Sequence, residues 1–73
     1  MERLLRYSYE HARVIRLMYF DEESKLRQVN ATVISYDDQK VEFVSTRSPR
    51  VIKVATENIL SVDFRRGDDG MTL

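Results

Sequence analysis

Over the first twelve positions Leu4, Leu5, Ser8 and Ala12 recur at helical spacing, with Arg3, Arg6, Glu10 and Arg13 on another side. The pattern predicts one short amphipathic helix over residues 2–12. About three turns of helix are marginal in isolation, so the apolar stripe must dock on the rest of the chain, as a lid over one open end.

From residue 13 the period changes to that of extended strands separated by acidic turn clusters. Arg13 to Phe20 reads as a strand with Ile15, Leu17 and Tyr19 on one face and Val14, Met18 and Phe20 on the other, so both faces are expected to be covered, one lining a barrel and one under the helix. Asp21-Glu22-Glu23-Ser24 turns the chain. Lys25 to Tyr36 follows as a second strand with Val29, Ala31 and Val33 inward. It is about twice the usual strand length, which predicts a sharp bend at Asn30-Ala31 that lets it serve two sheet surfaces. Asp37-Asp38-Gln39 is the next turn, and Lys40 to Arg47 alternates Val41, Phe43 and Ser45 against Glu42, Val44 and Thr46. The single proline, Pro49, marks a turn, because it cannot donate to a ladder. Val51 to Thr56 is a fourth strand. Glu57-Asn58 suits a tight turn or a short 3₁₀ segment, and Ile59 to Arg66 closes with Leu60, Val62 and Phe64 on one face.

These elements describe a mainly β domain, an N-terminal helix followed by a five-stranded antiparallel small barrel of the SH3-like or Sm-like kind. The domain is expected over residues 1–66, with the barrel at 13–66. Both glycines fall in 67–73, read as a flexible C-terminal tail. At 73 residues the chain has room for one core.

Composition narrows the chemistry. With no cysteine, one histidine and six serines, none of them in a Gly-x-Ser-x-Gly elbow, there is no nucleophile constellation, disulfide scaffold or thiolate metal site. The expectation is a protein that is not an enzyme and needs no cofactor or metal. His11, near the helix end, is read as a ligand of the last helical carbonyls. The paired acids at 22–23, 37–38 and 68–69 are read as solvated turn residues, without the spaced oxygens of a calcium loop. Charges interrupt the apolar residues of the N-terminus within six positions, so neither a signal peptide nor a spanning helix is expected. The expected location is cytoplasmic.

Twelve cations balance twelve carboxylates, which argues against indiscriminate binding to polyanions. Their placement is uneven. Residues 43–56 hold Arg47, Arg50 and Lys53 and no acid, forming a local basic rim that Arg27, Arg13 and Arg16 extend. Arginine suits phosphate because its planar fork donates two parallel hydrogen bonds. The competing reading is that these charges keep strand edges from pairing. Tyr7, Tyr9, Tyr19 and Tyr36 have faces for stacking bases, yet Tyr19 reads as core and the others as packing for the helix.

Leu4-Leu5-Arg6-Tyr7-Ser8, then Arg13-Val14-Ile15-Arg16-Leu17-Met18-Tyr19, then Val51-Ile52-Lys53-Val54-Ala55-Thr56-Glu57-Asn58-Ile59-Leu60-Ser61-Val62 together resemble a WYL domain over residues 4–64. Asn58 stands where that family usually has arginine, and Val41-Glu42-Phe43-Val44 stands where its Trp-Tyr-Leu falls. The family's fourth-strand arginine falls near Ile52, with Arg50 the nearest guanidinium. The resemblance implies a small Sm-like barrel that in bacterial transcription regulators follows a DNA-binding helix-turn-helix and senses ligands, nucleic acids among them. Within these 73 residues that helix-turn-helix is not expected. The expected partners are single-stranded nucleic acid or a nucleotide-like ligand bound at Arg47, Arg50, Lys53 and Arg27, or alternatively a protein partner or a second copy in a homodimer, and no membrane. Val44, Ile34 and Met18 are apolar residues expected on incompletely covered faces.

Overall fold

The computed structural model describes residues 2–65. A helix, α1 (Glu2–His11), precedes five strands: β1 (Ile15–Phe20), β2 (Leu26–Tyr36), β3 (Lys40–Ser45), β4 (Val51–Ala55) and β5 (Ile59–Phe64). One 3₁₀ turn, Thr56–Asn58, joins the last two. The strands form one antiparallel sheet in the order β4-β3-β2-β1-β5. The mainly β architecture and the element order are as the sequence pattern predicts. The sheet is not closed, since β4 and β5 lie at its two ends and share no ladder. The tail expected at 67–73 lies outside the described residues, as does Arg66.

Alternation places Ile15, Leu17, Ala31, Val33, Val41, Phe43, Val54 and Ile59 in a single buried cluster, which Leu5 of the helix joins. Tyr19 sits in it with its ring edge-on to Phe43 at 5.5 Å. Burial on β1 is one-sided. Arg16 and Met18 are half-buried and Phe20 is exposed, because the helix packs across β2 and β5 on the side of the Ile15–Leu17 core. The expected cover for both faces of β1 is therefore corrected to cover for one.

The long second strand pairs with β1 along its first half and with β3 along its second, both within the one sheet. Ala31 is the handover residue, paired with Ile15 of β1 on one side and Ser45 of β3 on the other. The irregularity lies further on than the Asn30-Ala31 bend expected from sequence. Val33 pairs with Phe43 and Ser35 with Glu42, so Ile34 is an extra, bulged residue. A second bulge falls in β5. Met18 pairs with Ser61 and Tyr19 with Ile59, which leaves Leu60 without an opposite number. This shifts the inward set to Ile59, Val62 and Phe64, and the expected alignment of Leu60 with Val62 and Phe64 is corrected. Each bulge brings two inward residues into line and turns one large apolar residue, Ile34 or Leu60, to solvent.

The first strand starts two residues later than the pattern suggests, and the helix end explains why. Ala12 adopts a left-handed φ of 53°, and the Arg13 amide donates back to the Ser8 carbonyl at 3.1 Å, the closure of a Schellman-type cap. This backbone closure ends the helix. His11, expected to bind the last carbonyls, is exposed, with its ring against Tyr7 at a centroid distance of 5.8 Å.

Candidate anion-binding site

The β3–β4 hairpin presents the basic segment. Two serines shape its turn. The Arg47 amide donates to Ser45 Oγ at 3.0 Å, the Arg50 amide donates to Ser48 Oγ at 3.3 Å, and the Ser48 amide donates to the Ser45 carbonyl at 3.4 Å. Such serine-centred turns hold the backbone of both arginines and leave their side chains in solvent. Arg47, Arg50 and Lys53 are all exposed, and none of the three makes an ion pair among the described residues, although Lys53 lies opposite Glu42 in the β3–β4 ladder. Other cations are engaged: Arg16 reaches Asp63 at 3.6 Å, Lys25 reaches Glu23 at 3.9 Å, and Arg27 Nε donates to Asp21 Oδ2 at 2.7 Å.

The four cations singled out from sequence do not converge on one point. Arg50 and Lys53 line a groove of about 720 Å³ between β4 and the β1–β2 turn, where Tyr19, Phe20 and Ile52 add apolar surface. Asp21, Glu22 and Glu23 line the same groove. Arg27 and Arg47 line a second, more polar groove of about 320 Å³ with Gln28, Asn30, Ser45 and Thr46. It opens where the first half of β2 has β1 as a neighbour but β3 has ended, past the Ala31–Ser45 pair. The β3–β4 hairpin contributes to both grooves, so a ligand held at its tip has cations on either side.

Electrostatics divide these residues further. Arg27 is already committed, because its guanidinium is the largest cause holding the Asp21 carboxyl below the ordinary carboxylate range, ahead of the Lys25 and Glu23 amides. Burial pushes the Tyr19 hydroxyl above its usual value, Arg27 acts against this, and Asp21 acts with it. The pairing also neutralises one of the three carboxylates that face Arg50 and Lys53. Lys25 partly offsets Glu23, although an ion pair this exposed is weak.

Sequence reasoning missed what the turn acids do. Asp21 is the centre of the β1–β2 turn, where its Oδ1 accepts the Glu23 and Lys25 amides, both at 2.9 Å. Asp37 repeats the device, accepting the Gln39 amide at 2.7 Å and the Lys40 amide at 2.9 Å. The available signal was an aspartate at the first position of each turn, where a short carboxylate reaches amides two residues on. The aromatic residues behave as packing: Tyr7 sets its ring edge-on to Phe64 at 5.6 Å, and Tyr9 does the same to Tyr36 at 5.9 Å. No described helix is long and apolar enough to cross a membrane. Comparison with protein-family models, with curated proteins and with solved structures finds no match for this chain.

Proposed function

We propose that this chain is a non-enzymatic ligand-sensing or regulatory module, a WYL-like small barrel of the SH3-like or Sm-like kind, that binds nucleic acid or a phosphorylated small ligand at its β3–β4 hairpin. The observation that carries the reading is the contrast among its cations. Arg16, Lys25 and Arg27 are ion-paired with carboxylates, while Arg47, Arg50 and Lys53 on one hairpin make no ion pair among the described residues. Guanidinium groups outside any ion pair, beside a polar groove on one side and a mixed one holding Tyr19, Phe20 and Ile52 on the other, match a ligand with a phosphate and a planar, less polar body. The carboxylates across the larger groove oppose a long polyanion lying along it, which favours a short contact at the hairpin tip. The strand order and the resemblance over residues 4–64 support the barrel assignment.

Fluorescence anisotropy with a single-stranded oligonucleotide at two salt concentrations tests it. Three phosphate contacts on a single strand predict that affinity falls roughly 20-fold between about 50 mM and about 200 mM salt. The Arg47→Ala/Arg50→Ala chain should bind more weakly and lose most of that salt dependence. Failure to bind at low salt, together with no binding of a mononucleotide, overturns the proposal, as does binding that the double substitution leaves unchanged. A second reading, an interaction or self-assembly barrel with no nucleic-acid binding, is favoured by the exposed apolar side chains Leu26, Val51 and Leu60.

A further inference from the structure

The two grooves beside the β3–β4 hairpin differ in charge. Asp21, Glu22 and Glu23 line the larger one, whereas no carboxylate among the described residues lines the smaller. Two arginines do, and they come from different hairpins: Arg47 from the β3–β4 turn and Arg27 from the start of β2.

Arg27 is held at this groove by one nitrogen. Its Nε donates to Asp21 Oδ2 at 2.7 Å, the one hydrogen bond of its guanidinium among the described residues, so both Nη nitrogens are left to solvent or a ligand. Asp21 is itself fixed, since its Oδ1 accepts the Glu23 and Lys25 amides. An exposed ion pair ordinarily costs side-chain freedom on both partners; here one partner is already immobile. Asp21 borders the larger groove only, which keeps its carboxylate out of the space beside Arg47.

The open edge of β2 adds a third donor. Backbone groups of successive strand residues point to opposite edges. The Lys25 carbonyl accepts the Asp21 amide on the β1 side, and the Asn30 carbonyl accepts the Thr46 amide on the β3 side, both at 2.9 Å. The β1–β2 register runs unbroken between them, so Gln28 turns its amide to the side where β3 has ended. Beyond Thr46 the chain turns away, with the Ser48 amide bonded back to the Ser45 carbonyl, and no strand supplies Gln28 with an acceptor. Gln28 lines the smaller groove.

Building on the anion site proposed at the hairpin, we infer that the smaller groove takes a terminal phosphate monoester, held between Arg47 and Arg27 and by the Gln28 amide, with Asp21 as the positioning residue for Arg27. A monoester carries up to two charges and three acceptor oxygens, which match two guanidinium groups and an amide approaching from separate elements. A phosphodiester within a strand offers one charge and two free oxygens. The same chemistry is found at the 5′ end of a strand and in a mononucleotide.

Fluorescence anisotropy at low salt, with one 3′-labelled oligonucleotide ending in a 5′-phosphate or a 5′-hydroxyl, tests the inference. The phosphate should tighten binding at least about fivefold. Displacement by a 5′-mononucleotide and not by its nucleoside supports a small ligand as the source; the end effect without it supports a strand end. Asp21→Asn removes a negative charge, so charge alone predicts tighter binding of the phosphorylated strand. Loss of the Arg27 anchor predicts binding about threefold weaker, whereas Glu22→Gln, the same charge change in the same turn, should not weaken it. On the wild-type chain, where no variant can misfold, the Gln28 amide proton should move downfield as the phosphorylated strand is added, and that of Val29, turned to β1, should move less. Equal affinity for both ends, with mononucleotide and nucleoside equally inert, overturns the inference; if Arg47→Ala/Arg50→Ala abolishes that binding, the hairpin site itself stands. A folded Asp21→Asn chain that binds as tightly as wild type or tighter, or a Gln28 amide that stays in place, overturns it as well. Binding of none of these probes removes the hairpin site and this clamp together.

Discussion

Ser8 Oγ accepts the amide hydrogen of Val33 at 2.9 Å and donates its own proton to the Arg13 carbonyl at 2.6 Å. Ser8 is fully buried, the one buried polar residue among the described residues. β1 begins at Ile15, opposite Ala31, so two residues further on β2 has no β1 neighbour, and the helix supplies the missing acceptor. The same hydroxyl fixes the chain as it leaves the helix. Replacing Ser8 with alanine leaves a buried amide and a partly buried carbonyl unpaired, which should cost about 1–3 kcal/mol in urea denaturation. A loss smaller than about 0.5 kcal/mol, the size of an ordinary surface change, would contradict this role.

Ala12 holds a left-handed conformation with φ of 53°, where a Cβ is unfavourable. Ala12→Gly should therefore raise stability, by up to about 1 kcal/mol, because the relief of strain outweighs the added freedom of the unfolded chain. Measured in the same denaturation, a loss of stability would show that the cap is not strained.

The pH dependence of stability follows from the two turn aspartates. Arg27, then the Lys25 and Glu23 amides, hold Asp21 low, and the Gln39 and Lys40 amides hold Asp37 low. A carboxyl with a lower pKa folded than unfolded contributes stability that is complete above its unfolded value, near about 4, and is lost as pH falls through the folded value. Thermal melts should show Tm falling as pH drops below about 4, and Asp21→Asn should flatten part of that fall. An unaltered acid limb in the variant would remove Asp21 from the account.

Phe43 has no exposed surface and is the largest fully buried side chain, set edge-on to Tyr19 between β1 and β3. Phe43→Ala should cost about 3–5 kcal/mol, enough to unfold much of a domain this small. Circular dichroism at 25 °C checks it. A folded variant that loses less than about 2 kcal/mol would mean that the cluster collapses around the gap.

Period-two alternation made the core of this sheet legible, because Ile15, Leu17, Val41 and Phe43 each sit at the parity that burial requires. The basic hairpin was legible too, since a run free of acids needs only counting. The bulges were not. Leu60 and Ile34 continue an apolar strand pattern, and only the register across the ladder shows that each is an extra residue. The pairing of Arg27 with Asp21 was hidden for a related reason: six positions apart in sequence, they meet because the β1–β2 hairpin brings them together. Nor could composition reveal that Arg50 and Lys53 face the carboxylates of another turn, which depends on the curvature of the whole sheet.

The central claim is that the free cations of the β3–β4 hairpin form an anion site. Amide chemical-shift mapping tests it most directly, by titrating a ¹⁵N-labelled chain with a single-stranded oligonucleotide at low salt. The account predicts saturable shifts concentrated between Thr46 and Val54, extending to the Arg27–Asn30 side of the smaller groove and reversed by added salt. Shifts confined to the helix or to the outer sheet face, or none at all, would contradict it.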